Sequence, residues 1–254
     1  EDIFNKDKFS NFAIYGFINE LNKSDNFGCV GINTNGSHTD MDKYTFIETI
    51  RVLAPLFNEL ESIDTRSFND LRLLGQDMEK AMFDATEGIN TYKGAIFTFL
   101  LLLGGLNNVL SFNEGVNEIK RLCSNLYSDF DKLKDSSAGQ IIHSQTGIKG
   151  IREYAYEGYS FLFNEVLPYY QECLDDTKTY RYIISLLMDT TIIKRGSIDL
   201  LKQVQSMASD TSISNEELTN FCIKHKLSCG GSADMLAGTF LLDIIQKNFE
   251  LFKQ

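Results

Sequence analysis

Two prolines, Pro55 and Pro168, are all that 254 residues contain, and apolar and polar side chains almost never alternate along the chain. Apolar residues return instead every three or four positions, which lines them up on one face of a helix. Phe9, Phe12, Ala13 and Phe17 mark an opening helix that runs to about Leu21. A second starts near Asp42, carries Phe46, Ile50 and Leu53, and is expected to bend at Pro55. Leu71, Leu74, Met78 and Met82 outline a third. Further helices are expected over about 92–104, 113–133, 150–174, 177–192, 197–208, 214–226 and 232–252. The last has Leu236, Phe240 and Ile244 on one stripe. The pattern predicts an all-α fold, a single compact bundle of about ten helices forming one domain over residues 1–254. The Asp135–Gln145 stretch, with its Ser-Ser-Ala-Gly, is the expected exposed loop.

Composition narrows the function. At 43% hydrophobic and 23% charged residues the chain has the makeup of a globular protein rather than a disordered one. Thirty-five acidic residues against 24 basic ones give a net charge of −11, which argues against a general nucleic-acid or anionic-membrane surface. A small basic pocket for one phosphorylated ligand stays compatible with that balance. The longest apolar run, Ala95 to Leu103, falls short of the roughly 20 residues a membrane span needs. No leader segment is read at the start, so the cytoplasm is the expected compartment. Five cysteines, Cys29, Cys123, Cys173, Cys222 and Cys229, are odd in number and lack CxxC spacing. They read as reduced, partly buried thiols.

Many of the 18 glycines gather in four places: Gly28/Gly31/Gly36, Gly88/Gly94, Gly147/Gly150 and Gly230/Gly231. Each group precedes a predicted helix and stands beside ionisable or amide residues. Glycine admits close approach of a ligand, and a helix start presents N–H groups to anions. Four such places suggest helix ends converging on a polyanion.

Five segments carry candidate chemistry. In Asn35–Asp42 (NGSHTDMD), Asp42 reads as a helix N-cap with Met41 and Phe46 as a hydrophobic staple. Asp40 and His38 lie outside the helix, and Asp40 and Asp42 together suit a hard cation such as Mg²⁺. In Glu79–Phe97, Glu79 and Thr86 share a helix face that leads into a polar loop with Asn90 and Lys93, where Lys93 suits phosphate oxygens. Arg152 opens a helix in Gly147–Tyr159, a place that disfavours a cation unless an anion is near. Asp189–Ser197 adds Lys194 and Arg195 at a helix end. The last segment, Leu227–Asp234, offers Ser232 as N-cap and Asp234 as first-turn acid.

Together these motifs resemble the triphosphoribosyl-dephospho-coenzyme A synthase family. The resemblance is carried in unbroken order by G-x-V at Gly28–Val30, N-G-S-H-x-D-M-D at Asn35–Asp42 and T-x-G-I-N-T-x-K-G-A-I-F at Thr86–Phe97. It continues through G-I-R at Gly150–Arg152, D-T at Asp189–Thr190, R-G at Arg195–Gly196 and G-G-S-A-D-M-L-A at Gly230–Ala237.

The resemblance implies a helical transferase that joins ATP to 3′-dephospho-CoA, releases adenine and makes the prosthetic-group precursor of citrate lyase or malonate decarboxylase. A ribose hydroxyl of dephospho-CoA attacks the anomeric carbon of the ATP ribose, and the triphosphate stays on the product. It implies Mg²⁺ held by Asp40, Asp42 and Glu79, with Asp40 also acting on the sugar. Lys93, Arg152, Arg195 and the Gly230–Gly231–Ser232 turn would meet phosphates, Asn90 and Ser232 would orient ligand groups, and Asp189 or Asp234 would be the base. The expected partners are ATP and 3′-dephospho-CoA, with no nucleic acid and no membrane, and a homodimer left open.

The chain also departs from the family's usual pattern. Ser24-Asp25-Asn26-Phe27 stands where a Pro-Lys-Pro precedes the first glycine, and Gly31 stands where an acid follows Val30. Thr39 takes a basic position, Tyr92 a histidine, Tyr154 a glutamate, Thr191 an asparagine, Lys194 a histidine and Cys229 a proline. Several of these changes remove charge. They favour two competing readings, a changed acceptor or a nucleotide-binding scaffold that keeps the fold without catalysis. A metal phosphohydrolase using His38 and Asp40 is a weaker alternative, because His143 and His225 supply no clear second ligand.

Overall fold

A computed structural model describes residues 7–124, 126 and 150–254. Thirteen α-helices account for most of them: α1 Lys8–Leu21, α2 Lys43–Phe57, α3 Phe68–Ala85, α4 Lys93–Asn107, α5 Gly115–Leu122, α6 Ile151–Tyr156, α7 Leu167–Cys173, α8 Asp176–Leu186, α9 Thr190–Arg195, α10 Ile198–Ser209, α11 Asn215–Lys224, α12 Gly230–Lys247 and α13 Phe249–Lys253. No strand forms among the described residues; one antiparallel bridge joins Gly31 to Thr34. The all-α expectation is met.

Two helices make the centre. In α4 nearly every side chain from Ala95 to Leu106 is buried, and α12 is buried from Ser232 to Asp243 with the exception of Asp234. A helix apolar on all sides must be surrounded, and α1 and α4 both pack on α12 while α2 and α3 flank them. Phe17 of α1 stacks on Phe99 of α4 at 4.4 Å between centroids, and touches Tyr92 at 4.5 Å. Phe46 of α2 meets Tyr92 edge-on at 4.8 Å. Each fully buried ring of this kind contributes about 2–3 kcal/mol. Together they fix the start of α4 against α1 and α2. No described helix is long and apolar enough to cross a membrane.

Several predicted helices end earlier than their apolar pattern. The 150–174 helix breaks at Gly158 and Tyr159, both at positive φ (+69° and +53°), and resumes through a π-turn at Leu162–Val166. The 177–192 helix breaks where Leu187 turns extended (ψ 134°), which frees Asp189 to cap α9. The last helix starts at Gly230 with Cys229 as N-cap, so Ser232 lies inside it and is not the cap, and Asp234 falls one residue beyond the first turn. It ends at Lys247, and Asn248 is both its C-cap and the N-cap of α13. Pro55 sits two residues before the end of α2, which tightens into a 3-10 turn at Asn58–Glu61. The helix read over 113–133 is described only as far as α5, and the loop read over 135–145, with Gly147 and His143, lies outside the described residues. All five cysteines are unpaired thiols and all but Cys173 are buried.

Candidate active site

Asp189 is the joint of the site. It is buried, and five donors converge on its carboxylate. Oδ1 accepts the N–H of Thr191 (2.9 Å) and Ile192 (3.4 Å), capping α9, and the N–H of Gly231 (3.2 Å). Oδ2 accepts the N–H (2.8 Å) and hydroxyl (2.9 Å) of Ser232. One side chain therefore ties the starts of α9 and α12 together. Burial raises its pKa above the carboxylate norm, and the donors from Ser232, Thr191 and Ile192 pull the other way. The turn Gly230–Gly231–Ser232, read as a phosphate cradle, thus spends two N–H groups and its hydroxyl on Asp189. Those groups serve the fold.

Two further helix starts meet the same place. A β-carbon on Gly94 would lie 2.1 Å from Asp234 Oδ2 and 3.6 Å from Ile151 Cδ1. One on Gly150 would lie 3.9 Å from Thr190 Cγ2, and one on Gly230 would lie 3.3 Å from Thr191 Cγ2. The beginnings of α4, α6, α9 and α12 thus converge, three of them carrying glycines singled out in the sequence (Gly94, Gly150 and Gly230), and at position 94 the Asp234 carboxyl takes up the room of a side chain.

Asp234 itself makes no hydrogen bond or ion pair with any described residue. Burial, then the like charges of Glu20 and Asp189, hold its carboxyl well above the ordinary value, against a smaller opposing effect of Lys23. Glu20 and Lys23, at the end of α1, form an ion pair at 3% and 4% exposure. Glu20 Oε2 accepts the Tyr92 hydroxyl at 3.0 Å, and Lys23 Nζ donates to the Glu20 carbonyl at 3.1 Å. Sequence reading passed over both. The signal was present, since Glu20 continues the buried stripe of Phe9, Phe12, Ala13, Gly16 and Phe17, where an acid has no reason to stand unless paired.

A cationic rim lies beside this acidic floor. Lys93 Nζ pairs with Glu79 at 2.8 Å, both partly exposed, and Glu79 also acts on the Arg152 guanidinium, whose pKa is lowered chiefly by burial. Asn90 Oδ1 accepts the Lys93 N–H at 3.2 Å and so works as a cap of α4. Glu79, Lys93, Arg152 and Asp234 are therefore gathered around the start of α4.

The loop between α1 and α2 closes another side. His38 Nε2 lies 3.0 Å from Ser228 Oγ, and its Nδ1 faces Asp40 Oδ1 at 3.6 Å and Arg195 Nη1 at 3.5 Å. Burial, then Arg195, push the His38 pKa down. Arg195 donates to the carbonyls of Lys226 (2.9 Å) and Ser37 (3.0 Å), so the guanidinium read as a phosphate ligand pins this loop to the α11–α12 connection. Asp42 is the N-cap of α2 with Thr45 completing a capping box, as read from sequence. The backbone N–H groups lower its pKa, and the capping bonds all fall on Oδ1. Among the described residues no three His, Cys, Asp or Glu side chains stand together as a metal site.

The departures at positions 26 and 31 are one local change. A β-carbon on Gly31 would lie 2.2 Å from Asn26 Oδ1, and that oxygen is buried without a hydrogen-bond partner. Where the resemblance expects an acid after Val30 and a Pro-Lys-Pro ahead of the first glycine, the neighbouring residues here are Gly31 and Asn26.

The family model described as ATP:dephospho-CoA triphosphoribosyl transferase matches residues 6–252. A protein of Streptococcus mutans serotype c named "Probable 2-(5''-triphosphoribosyl)-3'-dephosphocoenzyme-A synthase" is 30% identical, covering 94% of this chain and 96% of its own length. Proteins of the same name from Streptococcus pyogenes serotype M18 and Streptococcus equi subsp. zooepidemicus are 32% identical (94% and 96% covered) and 30% identical (91% and 94% covered). No solved structure matches the chain.

Proposed function

The chain belongs to the ATP:dephospho-CoA triphosphoribosyl transferase family, and we propose that it joins the triphosphoribosyl group of ATP to 3′-dephospho-CoA with Asp234 as the base. The observation that carries this reading is the position of Asp234. Its carboxyl has no partner among the described residues, is held above the ordinary pKa, and stands where α4 and α12 begin. A general base must be free to take a proton, and Asp189, saturated by five donors, is not.

In this reading the acceptor hydroxyl of dephospho-CoA loses its proton to Asp234 as its oxygen bonds to the anomeric carbon of the ATP ribose. The bond from that carbon to adenine breaks, and the base leaves. The acidic floor of Glu20, Asp189 and Asp234 favours an oxocarbenium-like sugar. Lys93 and Arg152 at the rim take the triphosphate, Glu79 yielding Lys93 to it. Mg²⁺ that rides on a triphosphate needs one or two carboxylates, its other positions being filled by phosphate and water. Asp40, 63% exposed, and the outer oxygen of Asp42 fit that need. Bound there, the ion would neutralise phosphate charge. The acceptor fits the precursor pathway of citrate lyase or malonate decarboxylase.

Incubation with ATP, Mg²⁺ and dephospho-CoA tests the reading. Free adenine with a heavier CoA species is expected, and both should vanish in Asp234→Asn while Asp189→Asn chiefly loses stability. Unchanged ATP with measurable nucleotide binding would turn the protein into the scaffold alternative, which the uncharged Asn26–Gly31 pair favours. Inorganic phosphate without adenine would turn it into a hydrolase.

A further inference from the structure

We infer that the pocket between the turn at residues 32–35 and the first turn of α2 seats the adenine of the acceptor, dephospho-CoA. The inference rests on the transferase reading given above and adds the place where the acceptor is gripped. The pocket holds about 430 Å³, a size suited to a small molecule. Its walls are already in place. Gly31 and Thr34 exchange backbone hydrogen bonds (2.9 and 3.3 Å), and the Thr34 hydroxyl accepts the N–H of Gly36 at 3.0 Å. The Ile32 N–H reaches the Leu21 carbonyl at the end of α1 (3.2 Å). The other wall is Asp42, Lys43 and Tyr44, where the Asp42 cap accepts the Tyr44 N–H at 2.9 Å. A ligand that enters such a site has little backbone to order.

The side chains lining the pocket suit a purine. Tyr44 is 66% exposed, and its ring offers a face on which a base can stack. Ile32, packed against the core, adds an apolar patch. Asn33 and Asn35 each carry an amide, a donor beside an acceptor, which pairs with the amino group and neighbouring ring nitrogen of adenine. Lys43 Nζ stands 5.4 Å from the centre of the Tyr44 ring, so a positive charge accompanies the stacking surface. It suits the diphosphate that joins the adenosine of dephospho-CoA to its pantetheine arm. The Asp42 carboxylate in the wall repels a phosphate laid against it and tolerates a neutral base. Two purines take part in the reaction. That of ATP has to lie at the bond that breaks, which the transferase reading places beside Asp234, at the starts of α4 and α12. The pocket is built from the α1–α2 loop and α2, and so falls to the other purine.

The test is calorimetric titration of the full chain with dephospho-CoA and, separately, with ATP, beside initial rates of adenine release. Tyr44→Ala is expected to weaken dephospho-CoA binding by about 10–100-fold, and Asn33→Ala by about 10-fold. Both positions are exposed, so the variants should fold as the parent does. Tyr44→Phe, which keeps the ring, should bind like the parent, and Tyr44→Leu, which keeps only an apolar contact, should not. ATP should bind parent and variants alike. In the rates, KM for dephospho-CoA should rise by the same factors with kcat little changed. Weakened dephospho-CoA binding in a protein that releases no adenine upholds the inference and removes the transferase reading. Adenine release with an unaltered affinity for dephospho-CoA in Tyr44→Ala does the reverse. The inference is likewise overturned if the loss falls on ATP, if Tyr44→Leu binds like the parent, or if the parent does not bind dephospho-CoA.

Discussion

The carboxyl of Asp234 and the backbone of Gly94 touch: a β-carbon at position 94 would stand 2.1 Å from Oδ2. Gly94→Ala must therefore push the carboxyl aside or hold α4 away from α12. The gain in helix propensity, about 1 kcal/mol, offsets part of the strain. Adenine release is expected to fall by about 10–100-fold with a small change in melting temperature. A variant as active as the parent would separate Asp234 from the chemistry.

Asp234 also has a pH signature. A carboxyl whose pKa is raised in the folded chain binds a proton more readily there than when unfolded, so stability falls as pH rises from about 3.8 through the raised value. Asp234→Asn removes that loss. Its stability at neutral pH should exceed the parent's by on the order of 1 kcal/mol, with the difference vanishing near pH 3, as denaturant melts at several pH values will show. Lower stability at neutral pH would contradict the desolvated carboxyl.

Lys93 and Arg152 should act on ATP affinity more than on turnover. Lys93→Met and Arg152→Met are expected to raise KM for ATP by about 10–100-fold, measured by initial rates at saturating dephospho-CoA. Because the Lys93–Glu79 pair is partly exposed, its loss should cost less than about 1 kcal/mol of stability. Unaltered KM in both variants would move the triphosphate elsewhere.

At the Asn26–Gly31 contact, Gly31→Ala forces a methyl onto a buried amide and should cost about 1–3 kcal/mol in a thermal or denaturant melt. Asn26→Ala alone leaves its oxygen's missing partner irrelevant and should cost less. Combined, the two should recover most of the loss, a coupling that independent sites would not show.

The helical stripes of α1 to α3 were legible because each has one dry face and one wet face. The breaks at Gly158–Tyr159 and Leu187 were not. There the apolar period continues across the break, and what interrupts the helix is left-handed or extended backbone, fixed by distant packing. In the site, spacing revealed which residues gather but not what each one bonds. Asp189 and Asp234 look alike in sequence, both acids at helix starts. One is saturated by donors arriving from 42 and 43 residues away, and the other accepts none from the described residues. Arg195 read as a phosphate ligand for the same reason: nothing local shows that its partners are the carbonyls of Ser37 and Lys226.

The clasp at Asp189 has an effect on the stretch it encloses. Residues 190–230, with α10 and α11, leave and return to the same carboxylate, like a loop of thread sewn down at one stitch. Closing so long a span depends only weakly on its length. Insertions or exchanges along α10 and α11 should therefore be absorbed away from the two helix starts, whereas a change at the stitch itself unfastens both at once.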